Sequence, residues 1–240
     1  MGMSLVLFDI NQGQLDQTVS QLDRKYPDIE VRAVIVDLAD AAALNTAIDQ
    51  LAEIEIGLLV ANAGLAAVGR WLEVPLDLKM NQIAVNCTST LILAHRLTPG
   101  MVERGRGGVI IMASGSAEMG SSFIATYAAT KAFDRVFAEG LWAELSPHGI
   151  DVTTVMPGAV DTPGFRDTLA AGQQPTALMQ PIDPFVVVDA ALEGLGNEIN
   201  VRPALGGGFK SLLFKLMMIV IPRKRLLALG SKAVCEMYDR

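Results

Sequence analysis

Cysteine is nearly absent from this 240-residue chain, which has Cys87 and Cys235 alone. Two thiols so far apart in sequence make neither a disulfide framework nor a metal motif, and a reducing cytoplasm is the simplest setting. Histidine is equally scarce, and His95 and His148 lack the spacing of metal ligands. There is no excess of positive charge. The formal net charge is -7 with a pI near 4.9, which argues against nonspecific binding to nucleic-acid phosphates. No signal peptide is apparent, because Met1-Gly2-Met3 runs straight into a short strand-like segment. No apolar run reaches the ~20 residues that a membrane-spanning helix requires. The nearest, Leu212 to Ile221, is interrupted by Lys215 and followed by Pro222-Arg223-Lys224-Arg225. It reads either as an interfacial amphipathic helix with a basic edge, making peripheral membrane contact, or as a C-terminal helix covering a cleft or a subunit interface. The second is favoured. No internal repeat, low-complexity tract or linker interrupts the chain, so residues 1–240 are expected to form one domain, with about 205–240 as a C-terminal helical extension.

What is present is apolar sequence in abundance, 51% of the chain, and a well-buried sheet is expected rather than disorder. Strand and helix signals alternate, as they do in parallel α/β sheets. Leu5–Phe8 reads as a strand, followed by the cap Asn11 and a helix face of Leu15, Val19 and Leu22. Ile29–Val36 is a strand, Leu44, Ile48 and Leu51 mark a helix, and Ile56–Ala61 is a strand. A long helical stretch runs from Pro75 to Glu103, with Pro99 expected to bend or divide it. Val109–Ala113 and Val152–Met156 are strands on either side of a helix over Tyr127–Ser146. Residues 157–182 read as a mobile loop, Asp183 opens another helix, and Val201 to about Leu205 reads as the last strand.

The most informative residues are Tyr127 and Lys131, in Tyr127-Ala128-Ala129-Thr130-Lys131, with Ser114 at the end of the apolar run Val109–Ala113. Four residues is about one helical turn, so phenol and ammonium share a helix face. A nearby ammonium favours a phenolate, and a tuned tyrosine can exchange a proton with a substrate oxygen. A serine hydroxyl can hydrogen-bond to that oxygen. Ligands of open α/β sheets bind at the carboxyl ends of strands, which is where Ser114 falls. A lysine stem lying over a surface ring produces the same pair without function.

The chain resembles the classical short-chain dehydrogenase/reductase family in five motifs in the right order. These are Asn62-Ala63-Gly64 after the strand Gly57–Ala61, Asn86 in the next long helix, Ser114, Tyr127 with Lys131, and Pro157-Gly158-Ala159-Val160-Asp161-Thr162 after the strand Asp151–Val155. The resemblance covers residues from about 4 to about 200 and implies a Rossmann-like parallel sheet with helices on both faces. It implies that Tyr127 is the general acid or base, that Lys131 holds the nicotinamide ribose, that Ser114 orients a carbonyl or hydroxyl, and that Asn86 fixes a relay water. It implies cofactor contacts from Asp9, Asp37 and Leu38 around the adenosine, and from Asn62, Ala63, Gly64, Tyr127, Lys131, Pro157, Gly158, Val160 and Thr162 elsewhere. Asp9 can accept from both ribose hydroxyls and would repel a 2′-phosphate, so NAD is expected in preference to NADP. The plain alternatives are a turn aspartate at Asp9, a helix cap at Asp37, a backbone-bonding helix residue at Asn86, a strand-end turn at Ser114 and a solvated hydroxyl at Thr162.

One departure stands out. The family opens with a strand, a glycine-rich phosphate loop and a helix, whereas this chain opens at Ser4–Asp9, which resembles the family's second strand. The run Gly206–Gly208 lacks the strand–turn–helix context to replace that loop. The expectation is an N-terminally truncated fold with weak dinucleotide affinity and a gap about 9–10 Å wide where the central strand would lie.

Two functions are therefore expected. The first is hydride transfer between a nicotinamide and a small-molecule secondary alcohol or ketone, with Met119, Phe123, Phe165, Leu169 and Met179 as candidate walls of a lipophilic pocket. The alternative is a catalytically silent homologue acting as a binding or assembly subunit. A homodimer or homotetramer is expected, paired through the helices around Met80–Met101 and Ala132–Leu145, as the resemblance implies.

Overall fold

Short apolar runs set the parallel strands of this protein, seen in a computed structural model that describes residues 2–169, 175, 180–203, 216–217 and 220–238. The chain divides into two compact units, Met1–Glu55 and Ile56–Arg240.

In the first unit, β1 (Leu5–Asp9) and β2 (Val31–Ile35) pair in parallel, from Leu5 opposite Val31 to Asp9 opposite Ile35. The connection between them is α1 (Gln12–Lys25), whose cap is Asn11, as its sequence position indicates; its side chain accepts from Gln14 N–H at 3.0 Å. Helix α2 (Ala41–Asp49) follows β2 and buries Leu44 and Ile48. Its cap is Asp40, which accepts from the N–H groups of Ala42 and Ala43. Asp37, weighed as that cap, instead accepts from Ala39 N–H at 2.8 Å and closes the turn before it.

In the second unit, four parallel strands lie in the order β3 (Leu58–Ala61), β4 (Gly107–Met112), β5 (Ile150–Val155) and β6 (Asn200–Val201). Alternation places Val109 and Ile111 on one face, packed with Ala94 and Met101 of α4 (Ser89–Arg104) and Ala138 of α5 (Ala125–Leu145). Ile110 and Val155 point to the other face, against Val187 and Ala191 of α7 (Pro184–Gly194). Burial on both faces is why β4 reads as an unbroken apolar run. Among the described residues, β3 has a strand partner on one side only.

The long helical stretch is divided, but not at Pro99. Helix α3 (Leu76–Ile83) passes into a π-helical turn at Ala84–Thr88 and then into α4, which carries Pro99 in its interior. Buried Ala94, Thr98 and Met101 hold α4 through the one backbone bond a proline forgoes. Segment 157–182 is not all loop, since Thr162 caps the short α6 (Pro163–Thr168) with Pro163 in its first turn. Helix α8 (Arg223–Tyr238) makes up most of the described part of the C-terminal extension; most of Leu212–Ile221, the glycine run and Met179 lie outside the described residues. Within those residues no helix is long and apolar enough to cross a membrane.

Candidate active site

Strand β4 ends at Met112, and its carbonyl accepts a 2.7 Å hydrogen bond from Nζ of Lys131. That bond fixes the lysine two residues from Ser114, at the carboxyl end of the sheet. The second partner of Nζ is Asp134, whose Oδ2 lies 3.0 Å away. Both side chains are buried, 4% and 1% exposed. On its other side the ammonium meets a turn of backbone. A methyl group on Gly64 would stand 3.5 Å from Nζ and 3.9 Å from Oδ1 of Asn86. The chain over Asn62–Gly64 is exposed, so a ligand can approach this backbone closely where no side chain intervenes.

Asn86 sits in the π-helical turn and is fully buried, a local geometry that recurs at functional sites. Its Oδ1 accepts from Leu65 N–H at 2.8 Å, and its Nδ2 donates to Leu65 C=O at 3.0 Å and to Thr130 Oγ1 at 2.9 Å. Gln82, one turn earlier, donates to the same Leu65 carbonyl at 2.9 Å. Thr130 in turn donates to the Tyr127 carbonyl at 2.8 Å. One network thus ties the Asn62–Gly64 turn to the helix that carries Tyr127 and Lys131. The Asn86 amide makes the backbone bonds of its plain alternative, across 21 residues of sequence.

Ser114 has extended backbone, and its hydroxyl accepts from Ser116 N–H at 3.2 Å. The adjacent Gly115 N–H donates to Pro157 C=O at 2.7 Å, which brings the Ser114 loop against Pro157-Gly158. Val160 bridges to Ile182 beyond it, and Thr162 uses its hydroxyl to cap Phe165 N–H at 3.2 Å. In the first unit, Oδ1 of Asp9 accepts from Asn11 N–H at 2.8 Å, and Leu38 is partly exposed beside Asp37.

Electrostatics centre on the residue the sequence reading passed over. Burial pushes the Asp134 carboxyl up to about 6, against the charge and hydrogen bond of Lys131. Its Oδ1 has no hydrogen-bond partner among the described residues. Burial, with the charge of Asp134 adding to it, also pushes the Cys87 thiol up to about 11. Lys131, Asp134 and Cys87 are therefore one coupled group. The spacing Lys131 to Asp134, i to i+3 on one helix, was the signal available for Asp134.

Beside the start of α5 lies a cleft of about 360 Å³, walled by Trp71, Val74, Phe123, Thr126 and Cys235, with Arg70 over the Phe123 ring. Phe123 has φ 64, an uncommon conformation for a bulky residue. Helix α8 closes over this region. Its Ser231 hydroxyl accepts from Ser122 N–H at 3.2 Å, and Tyr238 meets the Thr168 hydroxyl at 3.2 Å. Burial raises the Tyr238 phenol against its hydrogen bond to Thr168, with Tyr127 adding to the rise. Of the other expected pocket residues, Met119 lies against Gly230 of α8.

Residues 1–172 match the family described as short chain dehydrogenase. The chain is 33% identical over 203 residues to a human very-long-chain 3-oxoacyl-CoA reductase, covering 83% of this chain and 63% of that protein. Several curated relatives of the same description extend further, and the chain spans 57–63% of the length of the first three. Among solved structures, a short-chain dehydrogenase from Sphingobium yanoikuyae in complex with NADPH is 28% identical, with TM-score 0.78 over 92% of this chain and 87% of that one. A 7beta-hydroxysteroid dehydrogenase, 23% identical, shares the fold with TM-score 0.81 over 95% of this chain and 87% of its own. Family match, parallel sheet and motif order agree, and the chain belongs to the short-chain dehydrogenase family.

Proposed function

We propose that this protein is a nicotinamide-dependent oxidoreductase that interconverts a ketone and a secondary alcohol, with a lipophilic 3-oxoacyl thioester as the favoured ketone. The observation that carries the reading is the placement of Lys131 between the Met112 carbonyl and the exposed Asn62–Gly64 turn, one helical turn from Tyr127. The residues present suit the nicotinamide end of such a cofactor. Gly64 leaves open the space that a side chain would fill beside the ammonium, and Pro157, Gly158, Val160 and Thr162 follow on the adjoining loop. When bound, the nicotinamide supplies or accepts the hydride at the substrate carbon.

The chain's own residues handle the oxygen. Tyr127 gives a proton to the nascent alkoxide in reduction, or takes one from the alcohol in oxidation. Ser114 holds that oxygen by a hydroxyl hydrogen bond. Asn86 keeps Leu65, and with it the preceding turn, at a fixed height over α5. Asp9 supports NAD, while the 28% identical neighbour that holds NADPH supports NADP equally. The lipophilic substrate rests on the names of the relatives and on the aromatic cleft at the start of α5. Free thiols at Cys87 and Cys235 accord with a reducing cytoplasm.

Calorimetric titration with NADH and NADPH, followed by cofactor oxidation with a 3-oxoacyl thioester and a simple ketone, tests the reading. Binding of one cofactor with turnover supports it. Absence of binding at millimolar cofactor, with no turnover, returns the silent assembly subunit.

A further inference from the structure

We propose that Asp134 is a positioning residue for the reaction: its carboxylate, with the Met112 carbonyl, holds the Lys131 ammonium in place beside the Asn62–Gly64 turn. The inference rests on the oxidoreductase reading of this site. A lysine 4% exposed, whose other hydrogen bond among the described residues goes to a backbone carbonyl, is a buried charge. An uncompensated buried charge is strongly destabilising and favours the neutral form or an escape to solvent. Asp134 supplies the compensation at 3.0 Å, from one turn further along the same helix. Nothing in packing alone requires an acid there. The neighbouring buried residues of α5, Ala128, Thr130 and Ala138, are small and uncharged.

The pair is asymmetric. Among the described residues, Lys131 Nζ has two partners, whereas Asp134 has one satisfied oxygen and one buried oxygen without a partner. The carboxylate is therefore the weaker half of the pair and the first to give up its charge. Lys131 on its own helix and Cys87 on the π-helical turn are the titratable groups that face it, and the Cys87 thiol stays protonated through neutral pH. As the pH falls through about 6, protonation of Asp134 replaces the ion pair with a neutral partner. An asparagine at this position reproduces that protonated state at every pH.

The experiment compares wild type, Asp134→Asn and Asp134→Glu over pH 5–9, reading kcat and KM for ketone and cofactor. It also follows the ¹³C-labelled Asp134 carboxyl by NMR in wild type and Lys131→Met. In wild type, kcat should fall as pH drops through about 6. Asp134→Asn should lack that limb and run at the low-pH level, about tenfold below wild type at pH 8, with the ketone KM little changed. Asp134→Glu should restore part of the rate and the limb. The Asp134 midpoint should rise in Lys131→Met, because the ammonium that favours its charge is gone. Wild-type kcat and an unaltered pH profile in folded Asp134→Asn would overturn the inference while leaving the oxidoreductase reading intact. If wild type turns over no ketone, that reading fails separately and the NMR comparison decides the pairing. An Asp134 midpoint unmoved by Lys131→Met overturns it, and this comparison also decides if Asp134→Asn does not fold.

Discussion

The side-chain amide of Asn86 donates to the hydroxyl of Thr130 at 2.9 Å, joining the π-helical turn to the helix of Tyr127 and Lys131. With its two bonds to Leu65, Asn86 closes a three-point clamp in a fully buried place. Asn86→Ala should therefore lower unfolding stability by about 2–4 kcal/mol, because each lost bond removes about 1 kcal/mol and leaves buried partners unsatisfied. Urea denaturation measures this. A change under about 0.5 kcal/mol would show that the clamp contributes little beyond surface-level effects.

Gly64→Ala should separate fold from function. The added methyl would meet Lys131 Nζ at 3.5 Å, an ordinary contact, so stability should change by less than about 1 kcal/mol. The same methyl occupies the approach to the exposed turn, and the KM for cofactor should rise at least about fivefold. Steady-state kinetics with varied cofactor checks this; an unchanged KM would move the cofactor away from Gly64.

Gly149 offers the opposite case. It has φ 76, and a Cβ there would collide with the Gly105 carbonyl, a backbone atom with nowhere to go. Gly149→Ala should destabilise by about 2 kcal/mol or more, seen as a lower denaturation midpoint. Activity per folded molecule should be unchanged, because Gly149 precedes β5 at the end of the strand away from Pro157.

Much of the fold was legible because its signals are local. Asn11 and Asp183 sit at caps with helix periodicity behind them, and Val109–Ile111 is apolar enough to be buried on both faces. What escaped depends on tertiary partners. The π-helical turn at Ala84–Thr88 goes with the bonds from Asn86 to Leu65 and Thr130, which no helix propensity encodes. Pro99 was overweighted because its missing N–H is local, while the burial of Ala94 and Met101 that outweighs it is not. Helix α6 was missed although Thr162-Pro163 is a cap followed by a first-turn proline. At the site, Tyr127 and Lys131 stand out from their spacing and Asn86 from the family resemblance, whereas Asp134 went unnoticed because its burial is set by tertiary packing.

Oligomerisation is expected through α3, α4 and α5. Met80, Leu91 and Val136 are 57%, 46% and 56% exposed, and a run of exposed apolar side chains marks an interaction surface. Light scattering should give a dimer or tetramer at micromolar concentration, and Val136→Glu should shift it to monomer with the fold retained. A wild-type monomer would contradict this.

The most direct test of the account is Tyr127→Phe, measured as nicotinamide oxidation with a 3-oxoacyl thioester. Removal of one hydroxyl from a half-buried ring should leave the fold, the oligomer and cofactor binding as in wild type. Turnover should fall by about 10²–10⁴, the range for loss of a positioned acid or base. A Tyr127→Phe protein that turns over the ketone at the wild-type rate would contradict the account.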